Sequence, residues 1–194
     1  MMQFRIFIFG LLIVLSLQAC KEPYVWHAND ISGAAPDLQF SLIDSDERQV
    51  DAQSLRGKPV LVFFGFTHCP DVCPTTLTQL KVVINKLGQD ADKIQVLLVS
   101  VDPERDTPAV MKAYTAGFGP WLLGLTGPEE DIDDLRQRFG IYASMQTSDD
   151  QGAYNVMHNT AVFIFDGKGK ARLLFTDVSD SDAVVSDIRQ LINQ

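Results

Sequence analysis

Gly65-Phe66-Thr67-His68-Cys69-Pro70-Asp71-Val72-Cys73-Pro74 is the stretch on which the reading of this chain turns. Ahead of it, Val60-Leu61-Val62-Phe63-Phe64 is an unbroken apolar run. Its length and its β-branched and aromatic content are those of a strand buried on both faces. Behind it, Leu77, Leu80, Val83, Ile84 and Leu87 recur at three- and four-residue intervals, which predicts a helix over 75–87. Two cysteines therefore fall on the turn between a buried strand and a helix N-terminus. Each precedes a proline, which biases it toward extended backbone, and Pro74 suits the first helical position, where a missing N–H costs nothing.

The rest of the chain sets bounds on what this turn can serve. With 194 residues, 46% of them hydrophobic, the chain suffices for one domain with a sizeable core plus a targeting segment. A formal charge of −9 argues against nucleic acid and against an anionic membrane surface as main partners, and leaves a basic protein partner open. Residues 1–20 read as a signal segment: Arg5 supplies the positive region, and Ile6 to Leu17 is an apolar run too short for an ordinary membrane span. The ending Leu17-Gln18-Ala19-Cys20 resembles a bacterial lipoprotein signal, which would make Cys20 the point of lipid attachment. An uncleaved N-terminal anchor is the alternative. Either places the remainder on the periplasmic side of a bacterial membrane. Residues 21–36 lack helical or strand period and read as a tether, with His27 a solvated linker residue and Trp26 packed on the domain or near the membrane interface. The domain is expected over 37–194.

Within it, Leu38, Phe40 and Leu42 alternate with polar residues as in a half-buried strand, and 94–101 is a second buried run. Strand, helix and strand make a βαβ crossover, so the two strands should be parallel. Thr107 and Pro108 have the chemistry of an N-cap and first helical residue. A short strand over 121–125 and an amphipathic helix over 128–139 follow, then a polar excursion or hairpin over 141–155. Strands over 160–165 and 171–175 flank the turn Asp166-Gly167-Lys168-Gly169-Lys170, and 181–192 is a closing helix. The expected fold class is α/β, a thioredoxin-like fold with a central mixed sheet flanked by helices and carrying insertions. That fold keeps its active site on the turn where this chain has its cysteines.

Once Cys20 is set aside, Cys69 and Cys73 can form a disulfide, a metal site or a redox couple. A helix N-terminus favours thiolate, which metal binding and disulfide exchange both need. The third group discriminates. Where thioredoxin-like oxidoreductases place a cis-proline facing the cysteines, this chain reads Val156-Met157-His158-Asn159. The fold would bring His158 beside Cys69 and Cys73. Two thiolates and an imidazole form a soft, low-coordinate set suited to copper, Cu(I) above all, or Cu(II) with an added oxygen ligand. Zinc would want a fourth ligand, for which only His68 is evident. Asp71 offers an oxygen or merely a turn residue, and Asp102 with Arg105 an outer pair supporting the site or docking a partner. Asp106-Thr107-Pro108 is explained by helix initiation.

At this point the chain, from about Asp37 to Asn193, resembles the Sco/SenC family of copper-binding assembly factors of cytochrome c oxidase. The resemblance rests on 64–74, on Ser100-Val101-Asp102-Pro103-Glu104-Arg105-Asp106-Thr107-Pro108, on Leu125-Thr126-Gly127 and on His158. It implies copper ligation by Cys69, Cys73 and His158, and a Cys69–Cys73 disulfide when the pair is oxidised. The partners it implies are a copper donor and cytochrome c oxidase subunit II, whose binuclear centre would receive the metal. Around the histidine the family commonly has Asp-His-Ser, whereas Met157 and Asn159 flank His158 here, which alters what can orient the imidazole. Two rival readings remain: a thiol–disulfide oxidoreductase acting on partner cysteines, and a redox or copper sensor.

Overall fold

A computed structural model describes residues 24–141, 144–147, 154–157 and 161–194, with 144–147 and 154–157 described as backbone. Its centre is β4 (Val60–Gly65), buried at every position. β4 runs parallel to β5 (Gln95–Ser100) in the register Val60↔Gln95 to Gly65↔Ser100. The crossover between them is α1 (Val72–Leu87), continued by a 3₁₀ turn over Gly88–Lys93. β5 is parallel in turn to β6 (Leu122–Thr126) through α2 (Pro108–Ala116), whose cap Thr107 accepts the Val110 N–H. On the other side of β4, β9 (Val162–Phe165) pairs antiparallel and continues by a tight turn into β10 (Ala171–Phe175). Asp166 closes that turn by accepting the N–H groups of Lys168 and Lys170 at 2.8 and 3.0 Å.

β1 (Asn29–Asp30) borders β10, while β2 (Ser41–Asp44) and β3 (Gln49–Asp51) extend the β6 edge. The sheet thus has eight strands in the order β1-β10-β9-β4-β5-β6-β2-β3. Helix α3 (Glu129–Arg138) carries three acids in its first turn and arginines in its last, matched to the helix dipole. The closing helix α4 (Ser181–Ile192) packs against α1. A separate antiparallel pair, β7 (Ser144–Thr147) with β8 (Tyr154–Met157), forms the expected excursion. This is the thioredoxin-like arrangement: a βαβ core, an excursion, a hairpin and a closing helix. Among the described residues no helix is long and apolar enough to cross a membrane.

Three local expectations are corrected. Helix α1 begins at Val72, so Cys73 lies inside its first turn rather than before it, and Pro74 is its third residue rather than its first. A proline there is tolerated because the first-turn N–H groups have no helical partner to lose. The first half-buried strand starts only at Ser41, because the Leu38 N–H is taken by the Gly169 carbonyl at 2.8 Å.

The third correction concerns the supposed tether. From Tyr24 onward it is fastened to the domain. Asp187, fully buried on α4, accepts hydrogen bonds from Tyr24 Oη (2.9 Å), His27 N (3.0 Å) and Ala28 N (2.9 Å), and pairs with His27 Nδ1 at 2.9 Å. Tyr24 and Trp26 meet edge to face at 4.9 Å, and the Arg172 guanidinium lies 5.7 Å from the Trp26 ring. His27 is therefore bonded into a strap rather than lying in a free linker, although its side chain stays half-exposed. The buried carboxylate of Asp187 needs donors, and the N-terminal segment supplies them.

Candidate metal site

Where β4 ends, the Gly65 carbonyl still accepts the Val101 N–H at 2.9 Å, and the chain then leaves the sheet as the cysteine loop. The Cys69 N–H closes a turn onto the Phe66 carbonyl at 3.3 Å, and the Cys73 N–H donates to the Cys69 sulfur at 3.3 Å. The Phe66 N–H donates to the Cys73 sulfur. Gly65 has no side chain for a reason of space: a Cβ there would stand 3.2 Å from Cys73 Sγ and 3.1 Å from both Leu98 Cδ1 and Phe63 Cε1. Both cysteines are free thiols, Cys69 8% exposed and Cys73 0%. Both are thus held at the start of α1, with Cys69 the less deeply buried of the two.

Burial decides the charge of the inner sulfur. It pushes the Cys73 thiol far above its ordinary range, the Phe66 N–H pulls the other way, and Cys69 and the Asp106 carboxylate add to the rise. The helix terminus was expected to favour thiolate. At Cys73 desolvation outweighs it, because a partial helix charge offsets only a fraction of the cost of a bare anion in an apolar pocket.

Asp106 is the residue that the sequence reading passed over. Its carboxylate is 0% exposed and accepts from Thr67 N (3.2 and 3.1 Å), Thr67 Oγ1 (2.6 Å) and Ser100 Oγ (2.7 Å). Ser100 Oγ also accepts the Asp102 N–H at 3.0 Å. These bonds tie the cysteine loop to the end of β5 and the start of α2. Helix initiation accounts for Thr107 and Pro108 but not for a fully buried acid before them. The available signal was Ser100, a polar residue ending the apolar run of β5.

The other expected residues fall as follows. His68 is half-exposed, with Nδ1 3.1 Å from Thr67 Oγ1 and 3.8 Å from Asp106 Oδ1. Asp71 stands at the N-cap of α1; its carbonyl accepts the Thr75 N–H at 3.1 Å, while its side chain bonds no helix N–H and accepts from Thr75 Oγ1 at 3.3 Å. Asp102 takes the Arg105 Nε–H, and the guanidinium lies 5.8 Å from the Phe66 ring, so this pair buttresses the loop from below. His158 and Cys20 lie outside the described residues. The β4–β9 register pairs Phe63 with Val162. The chain therefore enters β9 at the same end of the sheet from which β4 leaves for the cysteines, and His158 is four residues upstream of Val162.

Comparison with known proteins adds a family. The SCO1/SenC family model matches residues 29–193. An SCO2-like protein of Rickettsia prowazekii is 34% identical over 176 residues, covering 88% of this chain and 84% of that one. The mitochondrial SCO2 homolog of Bos taurus is 41% identical over 140 residues, which is 71% of this chain and 51% of the bovine protein. Among solved structures, Bradyrhizobium japonicum ScoI with copper bound superposes with a TM-score of 0.75 at 38% identity, covering 81% of this chain and 99% of that one. Yeast Sco1 with copper bound gives 0.75 at 28% identity, covering 82% and 90%.

Proposed function

The chain belongs to the SCO1/SenC family, and on that premise we propose that it is a membrane-anchored copper metallochaperone, carrying the metal on Cys69, Cys73 and His158 for assembly of cytochrome c oxidase. The observation that carries the reading is the pair of buried thiols at the start of α1, with Cys73 too dry to ionise unaided. Such a sulfur releases its proton to solvent as a soft cation takes the proton's place, since the cation removes the net charge that burial penalises. The donor set fits copper: two thiol sulfurs are already together, and the strand register supports the approach of the segment that bears the imidazole. Copper is the cargo. Its donor is a separate carrier, its client is oxidase subunit II, and lipid on Cys20 holds the chain at the periplasmic face of a membrane.

A second reading, thiol–disulfide exchange, is favoured by one observation: the Cys73 N–H donates to Cys69 Sγ, the kind of contact that steadies an attacking thiolate. Both activities use the same reduced pair.

Anaerobic Cu(I) titration of the reduced chain, with Cys69→Ser and His158→Ala beside it, tests the proposal. Cys69→Ser is expected to weaken binding more than about a hundredfold, beyond the 10–100-fold typical for loss of an outer partner. His158→Ala is expected to weaken it less. Wild type binding copper no more tightly than Cys69→Ser overturns the copper reading, and equal affinity of His158→Ala removes His158 from the ligand set.

A further inference from the structure

The N-terminal strap carries an apolar side chain that the described residues leave uncovered. Trp26 and Ala28 pack against the core and Tyr24 bonds Ser186 and Asp187 of α4, while Val25 and His27 are exposed. Val25 is 82% exposed, against 43% for Val72 and for Val82, the other exposed large apolar side chains among the described residues. A lone exposed valine is ordinary; the place of this one in the chain is not. Only Lys21, Glu22 and Pro23 separate Tyr24 from Cys20, and four residue steps span at most about 14 Å. Tyr24, fastened to α4, therefore stands within that distance of the lipid on Cys20. The polar layer of a bilayer is itself about 5–8 Å deep on each side, and tyrosine and tryptophan are the side chains that settle there.

The strand register fixes what lies behind the strap. Asn29 pairs with Leu174, Leu174 with Phe163 and Phe163 with Val62. The strap thus runs into an edge strand three strands from β4, about 14 Å at about 4.8 Å per strand. Trp121, which leads into β6, lies five strands from β1, about 24 Å away. We propose that the edge formed by β1 and α4 is a lipid-facing surface. The domain rests edge-on against the bilayer that anchors it, with Val25 in the headgroup layer and the cysteine loop, at the strand ends, facing along the membrane plane. The occupant is the bilayer because the tether is too short to admit a protein between lipid and strap. The contact is apolar, so a chain of net charge −9 makes it on zwitterionic lipid. This inference rests on the lipid anchor at Cys20 proposed above.

The test is tryptophan fluorescence of the full chain, carrying its N-terminal lipid, in phosphatidylcholine vesicles with a nitroxide on the headgroup. The chain has two tryptophans, so Trp121→Phe reads Trp26 alone and Trp26→Phe reads Trp121 alone; if Trp26→Phe fails to fold, Trp121 is read by difference from wild type. Trp26 should be strongly quenched and Trp121 should not, because an edge-on domain holds Trp121 out of the nitroxide's reach. Adding Val25→Asp to Trp121→Phe should lose much of the Trp26 quenching while leaving the melting temperature unchanged, since the side chain is exposed. Three results overturn the proposal: Trp26 unquenched, so that the edge stands off; both tryptophans quenched alike, so that the domain lies flat; or quenching indifferent to Val25→Asp, so that the tether alone brings Trp26 near. Flotation of the same vesicles reads the anchor separately. A chain that does not rise with the lipid overturns the anchor and this inference with it, whereas a chain that floats with Trp26 unquenched overturns the inference alone.

Discussion

Replacing Asp106 with asparagine should unseat the cysteine loop without unfolding the domain. In the native structure both carboxylate oxygens are occupied, taking the Thr67 N–H, the Thr67 hydroxyl and the Ser100 hydroxyl. Asparagine keeps the shape but offers one oxygen, so at least one of these donors must face an NH₂. Hydrogen bonds to a charged acceptor contribute about 1.5–3 kcal/mol each, and a stranded buried donor costs about 1–3 kcal/mol. Against this stands the relief of no longer burying a charge. The net loss should be about 2 kcal/mol for Asp106→Asn and about 3–4 kcal/mol for Asp106→Ala, which leaves the Thr67 N–H with no acceptor. At about 2–4 °C per kcal/mol for a chain of this size, Asp106→Asn should melt roughly 4–8 °C lower. Urea unfolding of the reduced chain by circular dichroism gives the stability, and Cu(I) competition on the same samples gives the site. Both should fall together, because the loop they share is what Asp106 holds. Stability and affinity both within about 0.5 kcal/mol of wild type would refute the clamp.

Gly65→Ala should cost about 1–3 kcal/mol by overpacking and should weaken copper binding, since the intruding methyl group meets Cys73 Sγ itself; unchanged copper affinity would show that the position of the inner sulfur does not matter. Asp187→Asn should cost about 2 kcal/mol and free the N-terminal strap, read as proteolytic cleavage near Tyr24–Ala28 ahead of global unfolding; a strap as resistant as in wild type would refute the anchoring role. Because burial raises the Cys73 pKa above its ordinary value of 9.0, the neutral thiol favours the folded state. That contribution is complete below the unfolded thiol's pKa and is lost as pH rises toward the folded one. The reduced chain should therefore lose stability above about pH 9 more steeply than Cys73→Ser; parallel slopes would refute it.

Most of the architecture could be read from periodicity. The apolar run of β4, the three- and four-residue spacing of α1 and the Thr107-Pro108 cap each follow from local rules, and each forms as expected except that α1 begins three residues early. The parallel pairing of β4 with β5 follows from the helix between them. What escaped was long-range and polar. Asp187 binds residues about 160 positions away, and one buried acid on an amphipathic helix looks like any solvated one until its donors arrive. Asp106 was hidden by its neighbours, whose capping chemistry explained the segment without it. The ionisation of Cys73 could not be read either, because helix-end electrostatics is visible in sequence and depth of burial is not. The cysteine pair itself was legible, and Cys69 and Cys73 meet as expected.

The unequal depth of the two sulfurs sets an order of events. A visitor of any kind, whether a metal carrier, a client or a reactive thiol, reaches Cys69 before Cys73, because the inner sulfur lies sealed between Gly65 and the loop. Cys69 is therefore the hand that exchanges partners and Cys73 the one that keeps its grip. On the copper-carrier proposal, arrival and departure would run through an intermediate bound on one side to the visitor and on the other to the buried sulfur, and the cargo would not be free in solution.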